Sequence, residues 1–517
     1  MAWKSLDEMA AGMSEAEVRF EKGKRTVGLI LGPVLFVAIP LMPALPHVAP
    51  VGMLTLALFV WTLVWWLTEP IPIPATSFLA LALLVLCGIQ TVAQAFNYWA
   101  YWVNIFLIGA MIIGHAMSLH GLTRRIAYRM VASRLLGATP WRLLLAFMIG
   151  PALISGVLSN TVTTIVFLSI AMGLSKTLRF PRGYAETLFI AIAWSADIGG
   201  IITPAGSPPN LIAAGLLGPA GYRVGFLQWI IANLPVAIIG MVAMFLVVRF
   251  VLRPDTGWRV DSEETKRELQ NLGPMKVGEK IAGGAIAVAV FLWLLPDLLP
   301  LGLELVGAAA PGLGRQHPWS VWTTARLDWS VTAIIVATSL FLIPVNWRER
   351  KFAMTWPEAV KGIEWGTLAL VGTALAMGNL IADRKLGLGE FFAQGLDAMQ
   401  EGGVSRSMMI LASIAFAAIL TNLASNTAIA SMAGGLALAA APSFGMNTAG
   451  LVICVCVASS LAFSLPSATP PIAIIFASGE VRIGTLAKGG VVLLLIMIFV
   501  MWLVGLPIYD WVFPLVE

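Results

Sequence analysis

The stretch Ser155-Gly156-Val157-Leu158-Ser159-Asn160-Thr161 lies in an apolar region yet gathers four polar side chains: Ser155, Ser159, Asn160 and Thr161. It recurs as Thr421-Asn422-Leu423-Ala424-Ser425-Asn426-Thr427, again a hydroxyl, three residues, then Ser-Asn-Thr. A single such cluster reads as an ordinary helix cap. Two of them, each followed at a similar distance by a Pro-Pro pair (Pro208-Pro209 and Pro470-Pro471), point to a duplicated fold with one site built from both halves. The offsets agree: 266 from Asn160 to Asn426, 262 from Pro208 to Pro470, and 263 both from Trp102 to Trp365 and from Gly109 to Gly372.

Composition sets the class. The chain is 59% hydrophobic and 11% charged, with mean hydropathy +0.88, where soluble domains carry about 25% charged residues. Apolar runs near the roughly 20 residues of a spanning helix recur along its whole length, so an all-α polytopic membrane protein is expected, embedded in the lipid bilayer. The net charge of +5 reflects loop Lys and Arg and gives no reason to expect nucleic-acid binding. Cys87, Cys454 and Cys456 all sit in apolar segments and read as small core residues, with neither metal nor disulfide spacing. Residues 1–25, with Trp3, Leu6, Met9, Met13, Val18 and Phe20 among charges, read as a cytoplasmic amphipathic segment lying on the membrane, with a solvated tail as the alternative, and not as a removable signal peptide.

Apolar segments follow at about 26–46, 50–68, 72–90 and 99–120. Pro70, Pro72 and Pro74 after Thr68-Glu69 force a turn, because they cannot continue a helix. The stretch 141–175 is broken at its middle by the first Ser-Asn-Thr, with Arg142 before it and Lys176, Arg179 and Arg182 after it. Basic flanks at both ends predict a hairpin that enters and leaves on the same side, with the motif at its tip. Non-helical backbone at depth is tolerated only when buried in protein or lining a cavity. The next segment, 186–217, is unwound by Gly199-Gly200 and by Pro204, Pro208 and Pro209. Segment 226–252 closes the first half, and a polar linker, 253–280, with the charged run Asp261 to Glu268, separates the halves. The second half has spans at about 281–300, 328–345 and 364–382, with a Gly/Pro-rich loop to about 327 after the first. A hairpin, 405–441, a broken helix, 448–480, and a last span, 486–509, complete it.

This gives eleven spans plus two re-entrant hairpins, in repeats 26–252 and 281–517. With the N-terminus inside and the C-terminus outside, 26 Lys and Arg fall on the cytoplasmic side and 6 outside, which accounts for all 32. So strong a positive-inside bias gives the halves opposite orientations. Inverted repeats with paired broken helices are the signature of secondary transporters, and the breaks mark the site.

The motif suits that role chemically. Hydroxyl and amide oxygens, with carbonyls freed at a helix break, are hard ligands for a small cation such as sodium. Ser155, Ser159 and Asn160 with the carbonyl near Gly206 form one candidate site; Thr421, Ser425 and Asn426 with the carbonyl near Ala468 form its mirror. Half-helix N-termini favour an anion between the tips. No Lys or Arg lies in either motif or either Pro-Pro loop, so bound sodium would have to neutralise a dianion, a physical reason for coupling.

Thr68-Glu69-Pro70-Ile71-Pro72, the paired Ser-Asn-Thr motifs, Gly206-Ser207-Pro208-Pro209-Asn210 and Ala468-Thr469-Pro470-Pro471 together resemble the divalent anion:sodium symporter (DASS) family of di- and tricarboxylate transporters. The resemblance runs from about residue 24 to the end. It implies a homodimer of eleven-span protomers in the cell inner or plasma membrane, each with a scaffold and an elevator-like transport domain. It implies two or more co-transported Na+ ions, at the two sites just named. It also implies substrate contacts from Ser159, Asn160, Thr161, Ser207, Ser425, Asn426, Thr427 and Thr469. The expected activity is sodium-coupled symport of a C4-type dicarboxylate such as succinate, malate or fumarate, not an enzyme reaction. The alternatives are a sodium-independent di/tricarboxylate exchanger and a sulfate or other oxyanion symporter of the same fold.

Two positions depart from the family pattern. Ile472 stands where Asn, the counterpart of Asn210, is usual. Asp197 stands where Asn is common, and an acid inside a membrane segment is a candidate coupling residue, able to bind a cation, carry a proton or pair with a base. His115 and His120, near one span end, read as packing residues, and Glu69 as a turn anchor. Many of the 19 Trp lie near span ends, as in an aromatic belt.

Overall fold

The computed structural model describes residues 15–131, 139–259, 270–307, 316–442, 445–466 and 468–514. The expected amphipathic positions Trp3 to Met13, the run Asp261 to Glu268 and Ser467 lie outside them. The described chain is helical but for one small β-hairpin, Pro344–Asn346 paired with Lys351–Phe352. Among the described residues, eight helices are long and apolar enough to cross a membrane.

The breaks fall where prolines and polar clusters interrupt apolar sequence. Helix Pro50–Thr68 stops at Glu69, whose backbone turns left-handed (φ 50°) while its N–H still bonds Trp65 O. Helix Ile73–Leu86 then starts behind Pro72. The first hairpin pairs Pro140–Ser155 with Asn160–Leu178, and the second pairs Arg406–Leu420 with Asn426–Ala440. The first broken helix consists of Arg182–Gly199 and Pro208–Leu217, and the second of Thr448–Ala458 and Pro470–Ala477.

These broken helices form the centre of the molecule. Every residue from Tyr184 to Gly199 is buried, as is every residue from Pro209 to Leu217 and from Ala449 to Ala458. The packing is crossed between the halves. Pro208–Leu217 packs on Asn426–Ala440 of the second hairpin, and Pro470–Ala477 packs on Asn160–Leu178 of the first. At the other extreme, the span windows of Val18–Leu41 and Val277–Leu305 are each only 17% buried. They expose Leu29, Ile30, Val34, Val288, Phe291 and Leu301, an apolar surface suited to lipid or a partner.

Gly199 explains one close backbone approach. A Cβ there would lie 2.2 Å from the Ala152 carbonyl oxygen, so only glycine lets the first hairpin arm sit on the broken helix.

Some elements differ from the sequence reading. The helix expected over 281–300 runs Val277–Gly307, and Pro318–Arg326 is helical where a loop was expected. Pro318 at the first helical position and the His317 ring, which accepts from Trp319 N, start this helix. The span expected over 328–345 is helical only from Trp329 to Ser339, after which the chain enters the β-hairpin. Helix Leu388–Glu401, begun behind left-handed Gly387 (φ 73°), fills an interval left without an element.

Candidate functional site: two polar tips and two broken helices

Each hairpin arm ends just short of its motif, and the following helix restarts at the motif's asparagine. Ser159 (φ −54°, ψ 133°) and Ser425 (φ −56°, ψ 126°) occupy the same N-cap conformation. Each asparagine folds its side chain back across the turn to the hydroxyl five residues earlier. Ser155 Oγ donates to Asn160 Oδ1 at 2.5 Å, and Thr421 Oγ1 donates to Asn426 Oδ1 at 2.7 Å. The duplicated spacing in the sequence thus produces the same side-chain bond twice.

Carbonyls gather beside the first of these bonds. A Cβ on Gly206 would lie 2.5 Å from Gly200 O and 2.9 Å from Ser155 O; one on Gly200 would lie 2.5 Å from Asn160 Oδ1. The loop between the two pieces of the first broken helix is tied by Thr203 Oγ1, which donates to Gly156 O, and by Asn210 Nδ2, which donates to Gly200 O and Thr203 O at 2.8 Å each. Ser155, Asn160, Gly200 and Gly206 are therefore together. In the second half the single Thr421 Oγ1 proton is shared between Asn426 Oδ1 and Ser459 O, which ties Thr421, Asn426 and the second broken helix together.

The second pieces of the broken helices start at Ser207 and Thr469, both extended N-cap residues and both buried. Thr469 Oγ1 accepts from Ile472 N at 3.4 Å. Four helix N-termini, at Asn160, Pro208, Asn426 and Pro470, are thus presented by crossed pairs of helices; those at Asn160 and Asn426 have first-turn N–H groups without helical partners, while the Pro-Pro pairs leave the other two without N–H at their first two positions. Ser159, Asn160, Ser425 and Asn426 are half-buried, as is Thr161, while Thr427 is buried. Ser159 Oγ reaches towards Glu364 Oε1 at 3.5 Å, across from the helix Trp365–Ala382 that Glu364 caps.

Asp197 makes the link between the halves. It is 1% exposed; Asn160 Nδ2 donates to its Oδ1 at 3.1 Å, and Thr469 Oγ1 donates to its Oδ2 at 3.1 Å. Of the three roles open from sequence, pairing with a base is absent among the described residues.

Ile472 is wholly buried, so the brace that Asn210 gives the first loop has no counterpart at this position. Asn422 supplies it from the hairpin instead. Its Oδ1 accepts from Phe463 N at 3.0 Å and Ser464 N at 2.9 Å, and its Nδ2 donates to Ala418 O at 2.8 Å and Leu461 O at 3.3 Å. The sequence reading quoted Asn422 within the motif but gave it no role. The one available signal is that Gly156 stands at the equivalent place in the first copy.

Two other polar groups have partners away from the tips. His120 Nε2 lies 2.7 Å from Ala353 O, and buried Arg125 is held by Glu279 at 2.8 Å.

A family model described as the sodium:sulfate symporter transmembrane region matches residues 23–515. The sodium-dependent dicarboxylate transporter SdcS of Staphylococcus saprophyticus is 30% identical over 495 residues, covering 92% of this chain and 90% of its own. Two solved transporters share the fold at 14% identity. MtrF of Neisseria gonorrhoeae aligns with a TM-score of 0.54 over 82% of this chain and 84% of its own. YdaH of Alcanivorax borkumensis aligns with 0.50 over 79% and 86%. With nearly its whole length matched, this chain belongs to the sodium:sulfate symporter transmembrane family, the divalent anion:sodium symporters that its paired motifs resemble.

Proposed function

We propose that the protein is a secondary transporter that moves a C4-type dicarboxylate such as succinate, malate or fumarate together with sodium. The observation that carries this reading is the repeated hydroxyl–asparagine bond at two tips that lack any Lys or Arg. Oxygen-rich turns suit sodium, and helix N-termini suit carboxylates. A dianion placed between them has no fixed base to neutralise it, so co-bound cations take that part. The sodium-dependent dicarboxylate transport named for SdcS agrees with this chemistry.

In this reading Ser155, Ser159, Asn160 and the Gly206 carbonyl hold one sodium ion. Thr421, Ser425, Asn426 and the Ala468 carbonyl hold another. Ser159, Asn160, Thr161, Ser207, Ser425, Asn426, Thr427 and Thr469 face the carboxylates. The activity is transport, not catalysis. Eleven spans and two re-entrant hairpins form inverted repeats 26–252 and 281–517, with the N-terminus cytoplasmic and the C-terminus outside. The crossed packing of each broken helix on the other half's hairpin supports that pairing. The protein works in the plasma membrane as a homodimer in which the hairpins and broken helices move as an elevator against the outer helices.

The exchanger alternative is disfavoured because a fixed acid, Asp197, stands near the first tip where a fixed base would be needed. A sulfate substrate fits the family description but has no second, separate anionic group to offer the other tip.

A thermal-shift screen of dicarboxylates, citrate and sulfate, with and without sodium, tests the substrate assignment, because a ligand that binds only the folded state stabilises it. Succinate, malate or fumarate should stabilise the protein only in sodium. Stabilisation by sulfate alone would overturn the assignment.

A further inference from the structure

Asp197 is the one charged side chain bonded to the first tip's asparagine, and its geometry assigns it a specific task. Both of its oxygens accept hydrogen bonds. Thr469 Oγ1 already receives the Ile472 N–H, so the threonine proton is the one directed at Oδ2. Asn160 presents its NH2 group to Asp197 and its oxygen the other way, the arrangement that an ionised carboxylate beside a bound cation enforces, because it accepts only. That oxygen is the one met by Ser155 Oγ and set against Gly200. Asp197 therefore decides which end of the Asn160 amide faces the oxygen cluster.

Among the described residues no basic side chain pairs with Asp197. Arg182–Gly199 packs on Pro140–Ser155, Asn160–Leu178, Phe226–Val247, Val248–Leu252 and Pro470–Ala477. The charged groups of these elements are Arg142, Lys176, Arg249, and, on its own helix, Arg182 and Glu186. Arg142 and Lys176 lie a full hairpin arm from the tip, about 20 Å at 1.5 Å per residue. Arg249 sits over Trp141 at that same far end, 4.8 Å from the ring, and Glu186 is bound to Arg482 at 2.7 Å. A buried carboxylate without a cation is costly, and here the available cation is the transported one.

The second site has no such charge. The offset of 262 that relates Pro208 to Pro470 carries Asp197 to Ser459, whose hydroxyl bonds its own helix at Cys456 O, 2.6 Å away.

We propose that Asp197 is the positioning residue of the first sodium site: it orients the Asn160 oxygen towards the ion and places a negative charge one side chain behind it, so this site fills at lower sodium than the neutral second site. The inference rests on the sodium-symport reading and deepens it.

The test is a sodium titration of the purified full-length protein without substrate, followed by thermal unfolding, alongside succinate uptake by proteoliposomes. Asp197→Asn keeps the shape while removing the charge and one of the two acceptor oxygens. One unit charge about 6 Å away at an effective dielectric of about 20 predicts a rise in half-saturating sodium of about a hundredfold. The succinate KM at saturating sodium should stay within about twofold, since the charge acts through the ion. An unchanged sodium requirement with a raised succinate KM would overturn the proposal and leave Asp197 as a support for Thr469. Should Asp197→Asn not fold, the wild-type titration decides: its tighter phase should vanish in Ser155→Ala and persist in Thr421→Ala, and the reverse would overturn the proposal. Wild-type uptake indifferent to sodium would instead defeat the symport reading itself, before any variant is compared.

Discussion

Asn160 and Asn426 are the residues through which each tip is organised. Each accepts from a hydroxyl five residues back, at 2.5 and 2.7 Å; removing the Asn160 amide leaves Ser155 Oγ without that partner, whereas without the Asn426 amide Thr421 Oγ1 keeps Ser459 O. Asn160→Ala and Asn426→Ala should each abolish sodium-dependent uptake, a loss of at least about a hundredfold, while the protein still elutes as a folded species by size exclusion. Both motifs were legible in the sequence because polar residues are rare in apolar segments. The bonds of Asp197 were not, since one partner, Thr469, lies 272 residues away and no local pattern announces it. Gly199 presses on backbone, where nothing yields easily. Gly199→Ala should therefore cost about 1–3 kcal/mol or more of stability, read as a lower unfolding temperature in detergent.

At the scale of elements, the two broken helices are braced differently. Asn210 supports the first loop from within its own helix, and Asn422 supports the second from the hairpin. Asn422→Ala would strand two buried N–H groups, each worth about 1–3 kcal/mol when left unsatisfied, so a clear loss of thermal stability is expected. Ile472→Asn should not restore anything. Leu461 O, Phe463 N and Ser464 N are already paired with Asn422, so a second amide would be buried without partners and lower stability by about 1–3 kcal/mol. A stabilised Ile472→Asn would contradict this account of the loop. The departure from repeat symmetry at position 472 was legible in sequence; its compensation was not, because it comes from a different element. Hairpins and breaks were readable from proline, glycine and polar clusters. Helix Leu388–Glu401 was missed because its acids Glu390, Asp397 and Glu401 mask an apolar side that only packing on Asn426–Ala440 explains.

Across the whole molecule, the crossed packing of the halves makes the site a joint product of both. Opposed orientation of the repeats is the claim that charge distribution carries, and it is open to direct labelling. In a Cys87→Ser background, Arg179→Cys should react with an impermeant thiol reagent only from the cytoplasmic side, and Arg384→Cys only from outside. Labelling of both from one side would refute inverted repeats. The central claim remains that two oxygen-rich tips without a base need sodium to hold a dicarboxylate. It is tested most directly by succinate uptake into proteoliposomes of the purified protein under an inward sodium gradient, compared with the same gradient of choline. The account predicts accumulation with sodium and none with choline. Equal uptake in both, or counterflow that needs internal substrate but no sodium, would contradict it.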